Sequence, residues 1–317
     1  RRQRQMCIRD RIMDTMRPIY EKAVADAKAA DTPEKRRGVG IAWGGFNVTE
    51  GGGDSAEVAL ELMPGNKIRK YDTWHAMGQG ATTGSLVVTL EALKEMHLTP
   101  EDIQLIQNDT KTCPDTGMAG ASRSLYMDGN ATIIAANKLL AAMRKEDGTL
   151  RTYDEMKAEG IETKYLGRYE TNTTPGLCRL DPNTGIGDPT PAFTYCLNLA
   201  EVEVDTKTGK TTVLKFTCVD FVGRIGNIDA VNGQAYSGIM HGIGFALKED
   251  YADVKKHANM FGAGTSYIKD VPDDINLIHI DGAISDGPFG SSGASEAFQA
   301  SGHCAVCLLY TSDAADD

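Results

Sequence analysis

The chain contains the stretch Asp286-Gly-Pro-Phe-Gly-Ser-Ser-Gly-Ala-Ser-Glu296, in which a glycine-rich segment ends at the carboxylate of Glu296. Glycine has no side chain, so its backbone can adopt positive φ and come close to a ligand. The apolar residues after Glu296 predict a short helix. Taken alone, the stretch is typical of a surface turn in which Ser295 caps the helix and Glu296 lies in its first turn. A functional interpretation therefore requires other loops of this kind in the chain.

Two upstream segments have the same design. Met77-Gly-Gln-Gly-Ala81 and Thr116-Gly-Met-Ala-Gly-Ala-Ser-Arg-Ser124 each separate a predicted strand from a predicted helix. The free N–H groups and the dipole of a helix N-terminus favour an anion such as pyrophosphate. Gln79 adds a side-chain amide, and Arg123 adds a fork of donors suited to phosphate. Each loop alone is weak support for a ligand site, because a glycine pair before a helix is commonly a tight turn.

A helix predicted over residues 228–248 is rich in small residues. Four of them recur at intervals of three or four: Ala235, Gly238, Gly242 and Ala246. Interior glycine costs roughly 1 kcal/mol relative to alanine, so something must lie close to this face. Another helix is the expected partner for most of the face, and Gln234 near the helix start is a candidate ligand contact. We expect His241 to be packed in the core or to support the site indirectly, without binding a ligand.

Composition limits the classes of function. The chain has 317 residues, of which 41% are hydrophobic and 24% charged, as in a globular protein. The net charge is −11 and no run of Lys or Arg occurs, which argues against nucleic acid or an anionic membrane as a partner. The longest apolar runs are too short to span a bilayer.

Cysteine usage indicates a reducing compartment. The seven cysteines are scattered and odd in number, so we expect reduced thiols and a cytoplasmic location. Cys304 and Cys307 form a CxxC beside His303, but no second pair completes a four-ligand site, so we predict no metal there. Residues 1–11 and 307–317 resemble translated sequencing-adapter read-through. We therefore expect a native segment over residues 12–306, with non-native tails on both sides and further sequence missing.

Helical and strand patterns interleave without regular βαβ spacing. This favours an α+β (mixed α/β) fold over a doubly wound sheet. Residues 145–188 are polar and rich in turns, which predicts an excursion on the surface. The predicted helices cover residues 12–30, 82–96, 122–143, 153–160 and 228–248. The predicted strands cover residues 39–48, 56–62, 68–74, 103–107, 192–204, 211–222 and 276–280, with a clear hairpin around residues 205–210.

Four motifs occur in a specific order. They are Gly-Gln-Gly-Ala before a helix, Gly-Ala-Ser-Arg, Asn-Gly-Gln-x-Tyr-x-Gly, and Asp-Gly-Pro-Phe-Gly-x-Ser-Gly-x-x-Glu. With these motifs in this order, the chain resembles the molybdenum-binding C-terminal half of molybdopterin aldehyde oxidoreductases, which belong to the xanthine dehydrogenase/aldehyde oxidase family. The resemblance covers nearly all of residues 12–306.

The resemblance implies a molybdenum cofactor and a set of residues around it. The metal is held by the pterin dithiolene and needs no protein ligand. Glu296 is implied as the general base in the hydroxylation of an aldehyde or N-heterocycle with oxygen from water, and a buried carboxylate suits that role. The implied cofactor contacts are Gly78, Gln79, Gly80, Ala81, Gly120, Ala121, Ser122, Arg123, Ser124, Gln234, Gly293, Ala294 and Ser295.

The same resemblance implies partners outside this chain. The pterin is expected in its cytosine dinucleotide form. Electrons are expected to leave through [2Fe-2S] clusters elsewhere in the full protein or complex, with FAD on a partner and a homodimer as further possibilities. The substrate is a small molecule.

The chain departs from the family pattern in two places. Gly293-Ala-Ser-Glu296 stands where Gly-Val-Gly-Glu is usual, and Ser124 replaces a common glutamine. Ser295 adds a side chain where the backbone usually approaches the metal. Two alternatives therefore stay open: a non-catalytic or altered relative that keeps the scaffold, and a generic nucleotide-binding domain.

Overall fold

The structure, a computed structural model, describes residues 2–49, 53–171, 180–187, 190–284 and 286–312. Cys178 and parts of the predicted excursion and C-terminal tail lie outside these residues. In chain order the elements are α1 (Arg2–Ala30), β1 (Lys35–Val48), β2 (Ser55–Met63), β3 (Lys67–Asp72), α2 (Ala81–Ala92), β4 (Ile103–Gln107), α3 (Ser124–Met143), α4 (Tyr153–Ala158), β5 (Lys164–Glu170), β6 (Ala192–Asp205), β7 (Thr211–Phe221), α5 (Ile228–Leu247), α6 (Met260–Ala263), β8 (Asp274–His279), α7 (Glu296–Ala300) and α8 (Gly302–Ser312).

The first sheet has the strand order β1-β6-β7-β8. β1 and β6 are antiparallel over their whole lengths, and β6 and β7 form the predicted hairpin. β8 runs parallel to β7. Successive residues of a strand point to opposite faces, and both faces of this sheet are covered. Leu199 of β6 belongs to the core that includes Ile12 of α1, whereas Ala200 belongs to the core that includes Ile239 of α5.

The second sheet has the order β4-β3-β2-β5, with β3 and β4 parallel and the other pairs antiparallel. Helices α2 and α3 pack against it. Its core joins Leu60 and Ile68 of the sheet to Leu139 of α3, all with fully buried side chains. The strands and helices interleave as expected, so the predicted α+β (mixed α/β) class is confirmed.

Strand β5 lies within residues 145–188, where the sequence predicted turns and one helix but no strand. It pairs with β2 at the edge of the second sheet. Gly167 lies directly under α3, where a Cβ would be 2.0 Å from the carbonyl oxygen of Ala131. Tyr165, Gly167 and Tyr169 occupy alternate positions of the strand, and the other positions carry charged residues except for Leu166. The polar surroundings obscured this period-two pattern.

Both predicted tails are helical where they are described. Helix α1 begins at Arg2, so the boundary at residue 12 falls inside a continuous helix, and α8 extends past residue 307 to Ser312. The origin of these segments stays a prediction. Within the described ranges, no helix combines the length and apolar character needed to cross a bilayer. Cys304 and Cys307 lie on α8, and the described residues contain no group of three or more His, Cys, Asp or Glu arranged to hold a metal ion.

Candidate functional site

A cleft of about 550 Å³ lies between the two sheets and collects the loops identified in the sequence. Its walls come from four segments, within residues 74–91, 119–125, 222–234 and 288–296. All the predicted site residues line it except Gly78 and Ala121. Those that line it are Gln79, Gly80, Ala81, Gly120, Ser122, Arg123, Ser124, Gln234, Gly293, Ala294, Ser295 and Glu296. A larger cavity, about 790 Å³, lies near Lys210 and Lys269 and contains none of them.

Glu296 and Ser122 bring two of these loops together. The Ser122 hydroxyl donates a hydrogen bond to Oε2 of Glu296, and the Glu296 backbone N–H donates to Ser122 Oγ at 3.4 Å. Glu296 is the first residue of α7 and is half-buried. The carboxylate is thus only partly removed from water. Ser295 precedes the helix but makes no side-chain capping bond, so the capping interpretation is wrong.

The backbones of the same two loops are in direct contact. A Cβ at Gly293 would lie 2.1 Å from the Ser122 carbonyl oxygen, so only glycine fits at position 293 without movement. Ala121 and Ser122 both have left-handed backbones, with φ of 50° and 49°. Such conformations cost energy for residues with a Cβ and persist where the surroundings enforce them. The carbonyl of Gly293 accepts a hydrogen bond from Thr194 of β6 at 2.5 Å, which attaches the pair to the first sheet.

Arg123 is committed to the protein itself. Its Nε and Nη2 donate to the carboxylate of Asp54 at 2.6 and 2.8 Å. The remaining N–H groups donate to the carbonyls of Thr116, Met118 and Ser55 at 2.7 to 2.9 Å. The guanidinium has five N–H donors, and all five are used. The side chain therefore shapes the loop that contains Ser122, and it has no donor left for the phosphate contact suggested by the sequence.

The Gly78–Ala81 loop is also folded on its own side chain. Gln79 Nε2 donates to the carbonyl of His75 at 2.6 Å, and its Oε1 accepts from the N–H of Met77 at 2.5 Å. Gly80, with φ of 86°, occupies the N-cap position of α2. The loop thus brings the N-terminus of α2, with the free N–H groups of its first turn, to the cleft wall.

Helix α5 contributes through its first turns and packs through its small residues. Gln234 lines the cleft, as proposed from the sequence. Farther along, a Cβ at Gly238 would lie 2.6 Å from Cβ of Phe298, and one at Gly242 would lie 2.9 Å from Cα of Gly302. The expected partner of the small-residue face is therefore helical, namely α7 and α8. His241 is exposed, so the expectation that it packs in the core is wrong, and indirect support of the site stays a prediction.

Several wall residues were missed in the sequence. Trp74 is 6% exposed and lies at the cleft, and Phe289 has a left-handed φ of 53°. Arg224 also lines the cleft, and none of the described hydrogen bonds uses its guanidinium. No periodic pattern surrounds Arg224, so the sequence gives no signal that it is a cleft residue beyond its position in the loop after β7. Arg224 therefore offers the cleft a positively charged group, whereas all the N–H donors of Arg123 are used within the protein.

The comparisons agree with the resemblance drawn from the motifs. The family model for the molybdopterin cofactor-binding domain matches residues 16–272. That range includes three of the four cleft segments, and residues 288–296 lie beyond it. The aldehyde oxidoreductase of Megalodesulfovibrio gigas is 38% identical over 295 residues, which are 93% of this chain and 32% of that protein.

Solved structures show the same fold. The aldehyde oxidoreductase from Desulfovibrio desulfuricans matches with a TM-score of 0.89 and 41% identity, over 93% of this chain and 32% of that one. Quinoline 2-oxidoreductase from Pseudomonas putida 86 matches with a TM-score of 0.69 over 94% of this chain and 41% of that one. Its 19% identity supports likeness of fold alone. The chain spans about a third of the length of the aldehyde oxidoreductases that it matches. It belongs to the molybdopterin cofactor-binding domain family.

Proposed function

We propose that this chain is the cofactor-binding part of a molybdopterin-dependent oxidoreductase that hydroxylates an aldehyde or N-heterocycle with oxygen from water. The observation that carries the proposal is the place of Glu296. Its carboxylate stands in the wall of the cleft, at the meeting point of two glycine-rich loops, and is hydrogen-bonded to Ser122. Similarity to two aldehyde oxidoreductases favours an aldehyde as the substrate class.

The cleft suits a pterin that carries phosphate. The N-termini of α2, α3 and α5 all reach its walls, and such termini favour anions. Arg224 offers a guanidinium that no described hydrogen bond uses. Apolar wall residues such as Trp74 and Val88 suit a ring system. When bound, the molybdenum cofactor supplies the two-electron redox chemistry and oxygen transfer.

Glu296 has the geometry of a general base. Ser122 donates to Oε2 and thereby orients the carboxylate. None of the described hydrogen bonds uses Oε1, so that oxygen is available to accept a proton from a group in the cleft. A positioned base of this kind contributes about 10²- to 10⁴-fold to a rate. Ser295, which replaces the usual glycine, has φ of −160° and ψ of −90°, a conformation outside both the helical and the extended regions.

The wider assembly follows from the same proposal. We place the cytosine dinucleotide form of the pterin in the cleft and [2Fe-2S] clusters elsewhere in the full protein or complex. FAD on a partner, a homodimer and a cytoplasmic location complete the proposal. Its support is the similarity to bacterial aldehyde oxidoreductases over 93% of this chain.

The test is Glu296→Gln in the full-length protein. Molybdenum content should stay at the wild-type level, because Gln keeps the shape of the side chain. Turnover should fall about 10²- to 10⁴-fold, because the amide cannot accept the proton. Glu146→Gln is the matched control, since Glu146 is exposed and lies outside the cleft. Near-normal turnover of Glu296→Gln would contradict the role of Glu296.

Other outcomes identify the alternatives. A wild-type protein that binds molybdenum without turnover, and gains activity on Ser295→Gly, is a non-catalytic or altered relative. A protein that binds nucleotide but no molybdenum is a generic nucleotide-binding domain. Metal analysis of the purified full-length protein separates this last class from the other two.

A further inference from the structure

A cluster of buried charges lies beneath the cleft. The side chains of Lys70, Asp72 and Asp128 are fully buried, with 0% exposure. Lys70 Nζ lies 2.8 Å from Asp128 Oδ1 and 3.2 Å from Asp72 Oδ2. Removing three charges from water is costly, and the cost is offset only by close pairing and further hydrogen bonds. Such a cluster is by itself weak support for stability, and its importance lies in the elements that it connects.

The cluster joins two of the three helices whose N-termini reach the cleft walls, α2 and α3. Lys70 and Asp72 lie on β3, and Asp128 lies on α3. Asp72 Oδ2 accepts a hydrogen bond from the Ser85 hydroxyl of α2 at 2.6 Å. Its other oxygen accepts from Gln107 of β4 at 2.8 Å. Lys70 is thus bonded to α3 directly and to α2 through Asp72.

The same elements reach the cleft surface. Trp74, two residues after Asp72, lines the cleft, and Lys70 Nζ lies 5.9 Å from its ring centroid. Next to Asp128 on α3 is Gly129, where a Cβ would lie 2.6 Å from Pro288 in the segment that leads to Glu296. A shift of α3 relative to β3 would therefore move two walls of the cleft.

We propose that the Lys70–Asp72–Asp128 cluster is a positioning device that sets the separation of the N-termini of α2 and α3, and thereby the retention of the cofactor. This inference rests on the proposed cofactor site for its functional consequence. The three residues touch no part of the cleft ligand; they act through the helices and Trp74.

The cluster has a titratable member. The pKa of Asp128 is raised to about 6, because burial and the nearby Asp72 carboxylate together outweigh the opposing effects of Lys70 and Thr132. Below this pH the neutral carboxyl accepts a weaker hydrogen bond from Lys70, since bonds between charged partners are the stronger ones. We therefore expect a looser connection between β3 and α3 at acid pH.

Hydrogen exchange of the full-length protein without cofactor tests the device directly. Peptides covering residues 78–85 and 119–125 should lose protection roughly threefold to tenfold as the pH falls through about 6, after correction for intrinsic exchange rates. Asp128→Asn imitates the neutral carboxyl, so it should show the low-pH protection at every pH. Asp154→Asn is the matched control, because Asp154 is exposed on α4.

A milder variant keeps the test informative if Asp128→Asn fails to fold. Ser85→Ala removes only the bond between α2 and Asp72. It should lower protection of residues 78–85 at all pH values and leave the pH dependence of residues 119–125 intact. Unchanged protection at residues 78–85 in this variant would overturn the proposal, as would a wild-type pH profile in folded Asp128→Asn.

Molybdenum retention completes the experiment. In holoprotein, the rate of metal loss on dilution should rise roughly threefold to tenfold below pH 6 in the wild type, and at every pH in Asp128→Asn. If the predicted changes in hydrogen exchange occur but the protein binds no molybdenum, the positioning role of the cluster is supported and the proposed cofactor is refuted. Tight molybdenum binding with no exchange effect in either variant refutes the device and leaves the proposed function standing.

Discussion

Gly293 and Ser122 touch through their backbones, with a separation that would place a Cβ at position 293 only 2.1 Å from the Ser122 carbonyl oxygen. This contact joins the loop before α3 to the loop before α7. Because Ser122 also donates to Glu296, the contact sets where the proposed base lies in the cleft.

Gly293→Ala should force these loops apart. We expect the free energy of unfolding to fall by about 1–3 kcal/mol, as for other overpacked sites, with loss of molybdenum from the full-length protein. Urea unfolding and metal analysis measure both effects. Gly233→Ala is the control, since a Cβ there meets no atom within 4 Å and alanine favours the helix by up to ~1 kcal/mol. Equal stability of the two variants would refute the contact.

Arg123→Lys should destabilise the Ser122 loop although the charge is kept. Lysine cannot reproduce the five-donor fork that binds Asp54 and three carbonyls. We expect a loss of about 1–3 kcal/mol in urea unfolding. Arg168→Lys provides the comparison, because that side chain is 51% exposed and its ion pairs contribute about 1 kcal/mol or less. If the two losses are the same, Arg123 does not hold the loop.

Stability should depend on pH through His279. Its Nδ1 lies 2.8 Å from Oδ2 of buried Asp220, and this hydrogen bond raises the pKa of His279. The pKa of Asp220 is also raised, because burial outweighs its bond to the histidine. A raised folded-state pKa means that the stabilisation from His279 is complete below its unfolded pKa of about 6.5. It is lost as the pH rises through the folded value.

His279→Gln should remove that dependence. Between pH 6.5 and 8, the free energy of unfolding of the wild type should decline faster than that of the variant, by up to about 1.4 kcal/mol per pH unit. Denaturant titrations across this range measure the slopes. His241→Gln should keep the wild-type slope, because His241 is exposed. Parallel curves for the wild type and His279→Gln would exclude the effect.

Ser122→Ala should slow turnover without emptying the site. The variant removes the donor that orients Oε2 of Glu296, and a hydrogen bond to a charged group contributes about 1.5–3 kcal/mol. We expect kcat to fall roughly tenfold to a hundredfold, with molybdenum content maintained. Ser237→Ala, at an exposed position of α5, should have wild-type kcat. An unchanged kcat for Ser122→Ala would show that the orienting bond has no kinetic role.

The local signals in the sequence were good guides to the loops. Glycine patterns before helices identified the segments of Gln79 and Gly293, because a left-handed turn or a close backbone approach demands glycine in an obvious place. Strand β4 was predicted with its observed bounds, and the β6–β7 hairpin was confirmed. These features depend on neighbouring residues alone.

What the sequence concealed depends on distant residues. Arg123 looked like a phosphate ligand, since nothing nearby predicts its ion pair with Asp54. His241 was expected to pack in the core or to support the site indirectly, yet its side chain is exposed. Strand β5 was missed because its pairing with β2 crosses about a hundred residues of chain. Tertiary pairing overrides local composition in each case.

The four-segment construction of the cleft also bears on how the protein is made. The walls span residues 74 to 296, and the segment with Glu296 is synthesised last. Contacts between such distant segments form late, since long loops must close first. A nascent chain stopped before residue 288 therefore has three of the four wall segments and lacks Glu296, the proposed base. Loading of a large ligand into the finished cleft therefore follows the synthesis of the segment with Glu296.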